Sequence, residues 1–161
     1  MQREELVRAL TPLIGRENIA ASRADLYAYG YDASIFQGGE PGAVVFPRDT
    51  AQVARVVRFA HQEGIPYIAR GAGSNISGGT IPVEGCLIIA LTRLNRILEI
   101  DIPNQRAVVE PGVINLDLKK ALASYGYTYA PDPGSQSTST IGGNVAENAG
   151  GPHCLKYGVT T

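Results

Sequence analysis

"ARGAGSNISGG", residues 69–79, directly follows the apolar run Ile65-Pro66-Tyr67-Ile68, and four of its eleven residues are glycine. Its side chains carry little chemistry of their own. Glycine permits positive φ and lets a ligand come close to the main chain, so a glycine run after a strand turns several N–H groups toward one point. Such a nest binds anions. Nineteen of the 161 residues are glycine, well above a usual share of about 7%, and they crowd at 71–79 and again at 142–151.

Two familiar phosphate loops do not fit this stretch. The dinucleotide pattern G-x-G-x-x-G takes Gly71 and Gly73 but meets Ile76 where a third glycine lets helix and strand pack closely. The P-loop pattern takes Gly73 and Gly78 but puts Gly79 where the phosphate-binding lysine belongs, with Thr80 after it. Each fails at a position the chemistry needs. A glycine-rich turn can also be no more than a tight connection, and what argues against that is a second stretch of the same character. Residues 131–151 hold Ser135, Ser137, Thr138, Ser139 and Thr140, more hydroxyls than one turn or cap requires, followed by paired glycines.

Outward from the first loop, the chain reads strand, helix, strand. Ala43-Val44-Val45-Phe46 is a short buried strand, Asp49 with Gln52 opens a helix, and Val53, Val56, Val57 and Ala60 form its apolar stripe. Gly64 ends that helix, His61 in its last turn suits the helix dipole, and 65–69 returns as a strand. This is a βαβ start with a right-handed crossover expected. Before it, Leu6, Ala9, Leu10 and Leu13 mark an amphipathic helix over 3–14 that Gly15 ends, and a second short helix begins near Ser22. Tyr27, Tyr29 and Tyr31 read as cover for a core edge, with their hydroxyls in water. After it, 86–91, 96–100 and 106–109 read as a three-strand meander, making the sheet mixed. Asn115 is placed to cap a helix carrying Leu118, Ala121, Leu122 and Tyr125, stopped by Gly126. No repeat or linker interrupts the chain. The expectation is one α+β domain over 1–161: a helical segment at about 1–40, then the ligand-binding portion at about 41–161.

Composition narrows the partners. A net charge of −1 and a pI near 6.1 leave no basic field for nucleic acid or an anionic membrane, so an anion must be held by local geometry. No apolar run nears the roughly 20 residues of a membrane span, and the start Met1-Gln2-Arg3-Glu4-Glu5 is polar and acidic rather than a signal peptide. A cytoplasmic location is the default expectation. Cys86 sits in an apolar run and Cys154 beside His153, which is neither a disulfide framework nor a set able to close a tetrahedral metal site; no metal is expected.

Taken together, "IPYIARGAGSNISGG", "PDPGSQSTSTIGGNVAENAGG" and "KYGVTT" resemble the FAD-binding domain of the vanillyl-alcohol oxidase/PCMH superfamily, on the branch of FAD-linked glycolate oxidase flavoprotein subunits and D-lactate dehydrogenases. The resemblance covers about residues 18–161 and implies a PCMH-type FAD-binding fold, a mixed sheet flanked by helices. It implies that Arg70, Gly71, Ala72, Gly73, Ser74, Asn75 and Gly78 wrap the FAD pyrophosphate. It places Pro131, Asp132, Gly134, Ser139, Thr140, Gly142, Gly143, Asn144 and Gly150 along the ribityl chain and flavin, with Gly151, Tyr157 and Gly158 as lesser candidates. Some members attach flavin through a histidine of the first loop, where this chain has Ser74, so dissociable FAD is implied. Members continue for about twice this length with the rest of the FAD domain and a cap that binds the hydroxy acid. The chain is therefore expected to be the incomplete FAD portion of an enzyme oxidising a 2-hydroxy acid of the glycolate or D-lactate type, poorly active alone, with no catalytic residue assignable. Strands without partners imply self-association or a second subunit. Two other outcomes stay open: a catalytically inactive flavin-binding or assembly module, and NADPH-dependent reduction of an enolpyruvyl nucleotide sugar within the same superfamily.

Overall fold

A computed structural model describes residues 2–160; Met1, and Thr161 at the end of the KYGVTT motif, lie outside the described residues. The chain forms two compact units, one up to Arg93 and one from Leu94 onward.

The first unit is a sheet with helices on both faces. Its strands are β1 (Ile19–Ala20), β2 (Ala43–Val45), β3 (Tyr67–Arg70) and β4 (Leu87–Ala90), in the order β1-β2-β4-β3. Strand β1 runs antiparallel to β2, while β4 lies parallel to both β2 and β3. The sheet is mixed, but not by the expected meander. The run 86–91 joins this sheet between the two strands of the βαβ unit instead of pairing with 96–100. All four residues of β4 are buried, as befits a central parallel strand covered on both faces, whereas a meander strand with one wet face alternates.

The period-2 alternation of the strands sorts the core into two sides. Ala43, Val45, Leu87 and Ile89 meet α1 (Arg3–Ile14) through Leu6, Leu10 and Ile14, and α3 (Thr50–Gln62) through Val56 and Ala60. Val44, Cys86, Ile88 and Ala90 meet α2 (Arg23–Tyr29) through Leu26. The buried stripe of α1 is thus Leu6, Leu10 and Ile14, with Leu13 only partly buried. Helix α2 begins where expected, with the Ser22 Oγ accepting from the Asp25 N–H, and Asp49 Oδ1 caps α3 by accepting from the Gln52 N–H at 2.7 Å. Leu10, fully buried in this cluster, is the anchor of α1: truncation to Ala is expected to destabilise the chain by about 2–5 kcal/mol in a denaturant titration.

In the second unit, β5 (Ile97–Asp101) and β6 (Arg106–Val109) form an antiparallel two-stranded hairpin whose register shifts between Ile97 and Glu99. Then come α4 (Asn115–Ala123), α5 (Ile141–Ala146) and α6 (Cys154–Tyr157). Asn115 is not the cap of α4. Ile114 holds the cap position, and Asn115 is the first helical residue, wholly buried, its Nδ2 donating to the Pro131 carbonyl at 3.1 Å. Tyr125 also leaves the expected stripe: α4 ends at Ala123, and Tyr125 is 53% exposed. Among the described residues no helix is long and apolar enough to cross a membrane.

Candidate functional site

The first glycine loop leaves β3 through Arg70, the only charged residue of that strand, and Arg70 is buried. Its guanidinium does not reach outward. It donates to the Tyr31 carbonyl at 2.8 Å, more weakly to that of Tyr29, and lies over the Tyr29 ring, 5.3 Å from its centroid. The tyrosine cluster divides accordingly. Tyr29 packs edge-on against Phe46 and beneath Arg70, while Tyr27 and Tyr31 stay exposed, in edge contact with each other. Arg70 fixes the start of the loop, and Gly73, at φ +68°, folds back over it so closely that a Cβ there would overlap the guanidinium.

The far side of the loop is held by Asp32, which the sequence did not single out. Its carboxylate is buried and accepts from the Ser34 N–H at 2.8 Å and from the Asn75 Nδ2 at 2.7 Å. The Thr80 hydroxyl donates to Asn75 Oδ1 at 3.0 Å, and the Asn75 carbonyl accepts from the Ala33 N–H. Asn75 is thereby part of the frame. Between the two anchors, the main-chain N–H groups of Gly71, Ala72, Gly73 and Ser74 have no acceptor among the described residues. Gly78 packs against the Phe36 ring.

Burial opposes ionisation of Asp32, yet the bonds from Ser34, Asn75 and Thr80 outweigh it and hold the carboxyl below its ordinary value. In the second unit, Arg96 holds Glu110 below its ordinary value, donating from Nη2 at 2.7 Å and from its backbone N–H at 2.8 Å. Both groups bind protons more readily unfolded than folded, so their contribution is complete above the ordinary carboxyl range and fades as pH falls through the lowered folded values. Melting temperature should therefore drop with acidification below about pH 4, and Asp32→Asn should flatten part of that limb.

The second stretch, in the second unit, has a different character: most of its main chain is paired internally. The N–H groups of Gln136, Thr138 and Ser139 go to Pro133, Ser135 and Ser135 carbonyls, those of Ile141 and Gly142 to Val113 and Pro111, and that of Gly143 to Thr140 Oγ1, the cap of α5. What it presents instead are side-chain atoms. Ser139 Oγ, both amide atoms of Asn144 and Asn115 Oδ1 are buried without a partner. They sit where α4 and α5 begin, tied together by the Ile114–Thr140 bridge and the Asn115 N–H to Ser139 carbonyl bond. Pro131 contributes its carbonyl to Asn115, Gly134 is exposed with open space around it, and Gly142 packs on Pro111. Gly150 lies against Val159, while Tyr157 is exposed and Gly158 ends α6.

Asp132 points inward, its Oδ1 accepting from the His153 N–H at 3.0 Å and its Oδ2 facing His153 Nδ1 at 2.8 Å. No sequence signal joined these two, which are 21 positions apart. Among the described residues no group of three or more His, Cys, Asp or Glu is placed to hold a metal.

Unpaired donors around a glycine bend suit a diphosphate, and buried polar side chains lacking partners suit a ligand rich in hydroxyls and ring heteroatoms. Each donor set, taken in its own unit, is of the kind a nucleotide cofactor offers partners for, and the first unit is a mixed sheet flanked by helices. Residues 41–161 match the model of the FAD binding domain family, and the chain belongs to that family. It is 43% identical over 157 residues to the glycolate oxidase subunit GlcD of Bacillus subtilis, covering 98% of this chain and 33% of that protein. It is 36% identical over 129 residues to a D-lactate dehydrogenase of Anaerostipes hadrus, covering 80% of this chain and 27% of that protein. Among solved structures, an alkyldihydroxyacetonephosphate synthase superposes with a TM-score of 0.87 at 27% identity, over 99% of this chain and 32% of that one. The fold is PCMH-type. The chain spans between about a quarter and a third of the length of these proteins.

Proposed function

We propose that this chain is the FAD-binding portion of a flavoprotein oxidoreductase that oxidises a 2-hydroxy acid, of the glycolate or D-lactate type, to the 2-oxo acid. One observation carries the cofactor part: a loop clamped at Arg70 and Asn75, with the Gly71–Ser74 amides unpaired between the clamps. The substrate part draws on the names of the glycolate oxidase subunit and the D-lactate dehydrogenase it resembles. In this reading the Gly71–Ser74 amides take the diphosphate, and Ser139 and Asn144 are binding residues for polar groups of the cofactor. FAD is held non-covalently, since Ser74 offers no nucleophile comparable to histidine. When bound, the flavin supplies a two-electron acceptor for hydride. The protein's part is to bind, to orient and to keep the loop rigid.

Residues 1–161 act as one domain in this proposal, located in the cytoplasm, with about 41–161 as the flavin-binding portion and partner subunits or self-association completing it. A second reading, a flavin-binding or assembly module without turnover, draws on Leu98 and Val108, apolar side chains of the β5–β6 hairpin that are 55% and 43% exposed. One anaerobic experiment separates the two. FAD-loaded protein mixed with glycolate or D-lactate should bleach slowly in a single turnover under the first reading and stay yellow under the second. Protein that takes up no FAD at all would sink both.

A further inference from the structure

Beyond the carboxyl ends of β2 and β4 lies a pair of arginines that the flavin reading does not use. Val45 stands opposite Ile89 in the parallel ladder, so the two strands end level, with Arg48 just past one end and Arg93 just past the other. Open sheets of parallel strands collect their ligands outside that end. Both guanidiniums converge on one atom. Arg48 Nε donates to Asn18 Oδ1 at 3.0 Å, Arg93 Nη1 donates to the same oxygen, and Arg93 also lies over the Phe46 ring, 5.2 Å from its centroid. Asn18 is 1% exposed, and its Nδ2 is spent on the Ile14 carbonyl and on Glu17 Oε1. One donor would satisfy that buried oxygen. Two cations on one neutral acceptor repel each other, and little on the protein offsets them. Among the described residues Glu17 is the one carboxylate in ion-pair range, 3.8 Å from Arg48 and with 66% of its side chain exposed. Asp49, next in sequence to Arg48, is spent as the cap of α3, and Arg93 has no ion pair among the described residues.

We infer that Arg48 and Arg93, pre-oriented by Asn18, form a binding site for a phosphate-type dianion, separate from the glycine loop and independent of the flavin reading. With one nitrogen of each guanidinium engaged, Arg48 keeps both terminal nitrogens and Arg93 keeps Nε and Nη2, two donor forks on exposed residues. A tetrahedral dianion has oxygens enough for both forks, whereas one carboxylate fills a single fork. Arg93 leaves β4 toward Phe46 and Asn18, on the β1–β2 side, while the glycine loop leaves β3 on the other side of β4. The two anion sites are therefore two strand spacings apart, about 10 Å. A dianion on this pair ties together the turn before β1, the start of α3 and the exit of β4, so stability rises with its concentration.

The test is a titration of the whole chain with inorganic phosphate at constant ionic strength, read from the arginine Nε–H signals in NMR. Arg48→Gln and Arg93→Gln assign the two signals. In the wild type both should move together and saturate, with one dissociation constant. Arg93→Lys keeps the charge but loses the fork, and should weaken binding by about 10-fold or more; Arg48→Lys, on an exposed side chain, repeats this comparison should Arg93→Lys melt early. Gly73→Val, which disturbs the other loop, should leave this titration unchanged. A second titration with adenosine monophosphate identifies the source: saturation at equal or tighter affinity marks a phosphomonoester, and response to inorganic phosphate alone marks the free ion. Signals that drift without saturating, or that chloride moves as far as phosphate does, would show an adventitious ion only and overturn the proposal. Unweakened binding by both lysine variants, or loss of the response in Gly73→Val, would overturn it too, by placing the phosphate in a diffuse field or on the glycine loop. None of these outcomes bears on FAD uptake, so the proposed function stands or falls separately.

Discussion

Purified in excess FAD, a Gly73→Val protein should emerge colourless where the wild type is yellow, with affinity for FAD reduced by about 100-fold or more, a loss of about 2.7 kcal/mol. Two separate effects add here. The φ of +68° is a conformation that costs a non-glycine residue about 1–3 kcal/mol, and a β-branched side chain suffers most. The new Cβ would also overlap the Arg70 guanidinium, which cannot withdraw without giving up the Tyr31 carbonyl and its place over Tyr29. The loop would then move at the point where its unpaired amides are gathered. Gly64→Ala is the control: its φ of +63° carries the same backbone strain, but it lies at the end of α3 with nothing near its Cβ. That protein should lose some stability and keep its colour. If equilibrium titration gave the two variants equal FAD affinity, the grip would lie elsewhere.

The second large effect is expected at Gly151. A Cβ there would run into the Asp132 main-chain carbonyl as well as its carboxylate, and a carbonyl of the chain cannot rotate aside as a side-chain tip can. Overpacking of this kind costs about 1–3 kcal/mol, so Gly151→Ala should lower the melting temperature by several degrees. It should also part Asp132 from His153, seen as a change in the His153 imidazole signals alone. Gly134→Ala, in open space within the same stretch, should leave both unchanged. A Gly151→Ala protein with wild-type melting and unaltered His153 signals would show that the junction is loose.

Both predictions concern residues that were legible as important before any geometry was known, though for incomplete reasons. Gly73 stands out in the sequence as part of an expected amide nest, and its main-chain N–H has no acceptor among the described residues. Its closest neighbour, however, is the chain's own arginine, because Arg70 turns inward to the tyrosine carbonyls. Asp132 was expected beside the flavin, and the structure commits its oxygens to His153. The second stretch, rich in hydroxyls and glycines, looked like another amide nest. Its amides are mostly paired within the segment, and the groups left over are the side chains of Ser139, Asn144 and Asn115.

Local order is what the sequence determined by itself. Helices over 3–14 and 50–62, the helix start near Ser22, the cap at Asp49, and the strand at 43–45 are set by apolar spacing and short-range hydrogen bonding, which neighbouring residues specify between themselves. The family was equally legible, because two motifs in fixed order across sixty positions leave little room for coincidence. Only the tertiary structure decided that β4 enters between β2 and β3, since a buried apolar run pairs equally well with any open edge and the choice depends on covering both faces at once. Only the tertiary structure brought Asp32 to Asn75, 43 positions away, and His153 to Asp132. Contacts between distant polar residues leave no periodic trace in a sequence; they exist because burying a carboxylate requires partners, and the fold determines which ones are within reach.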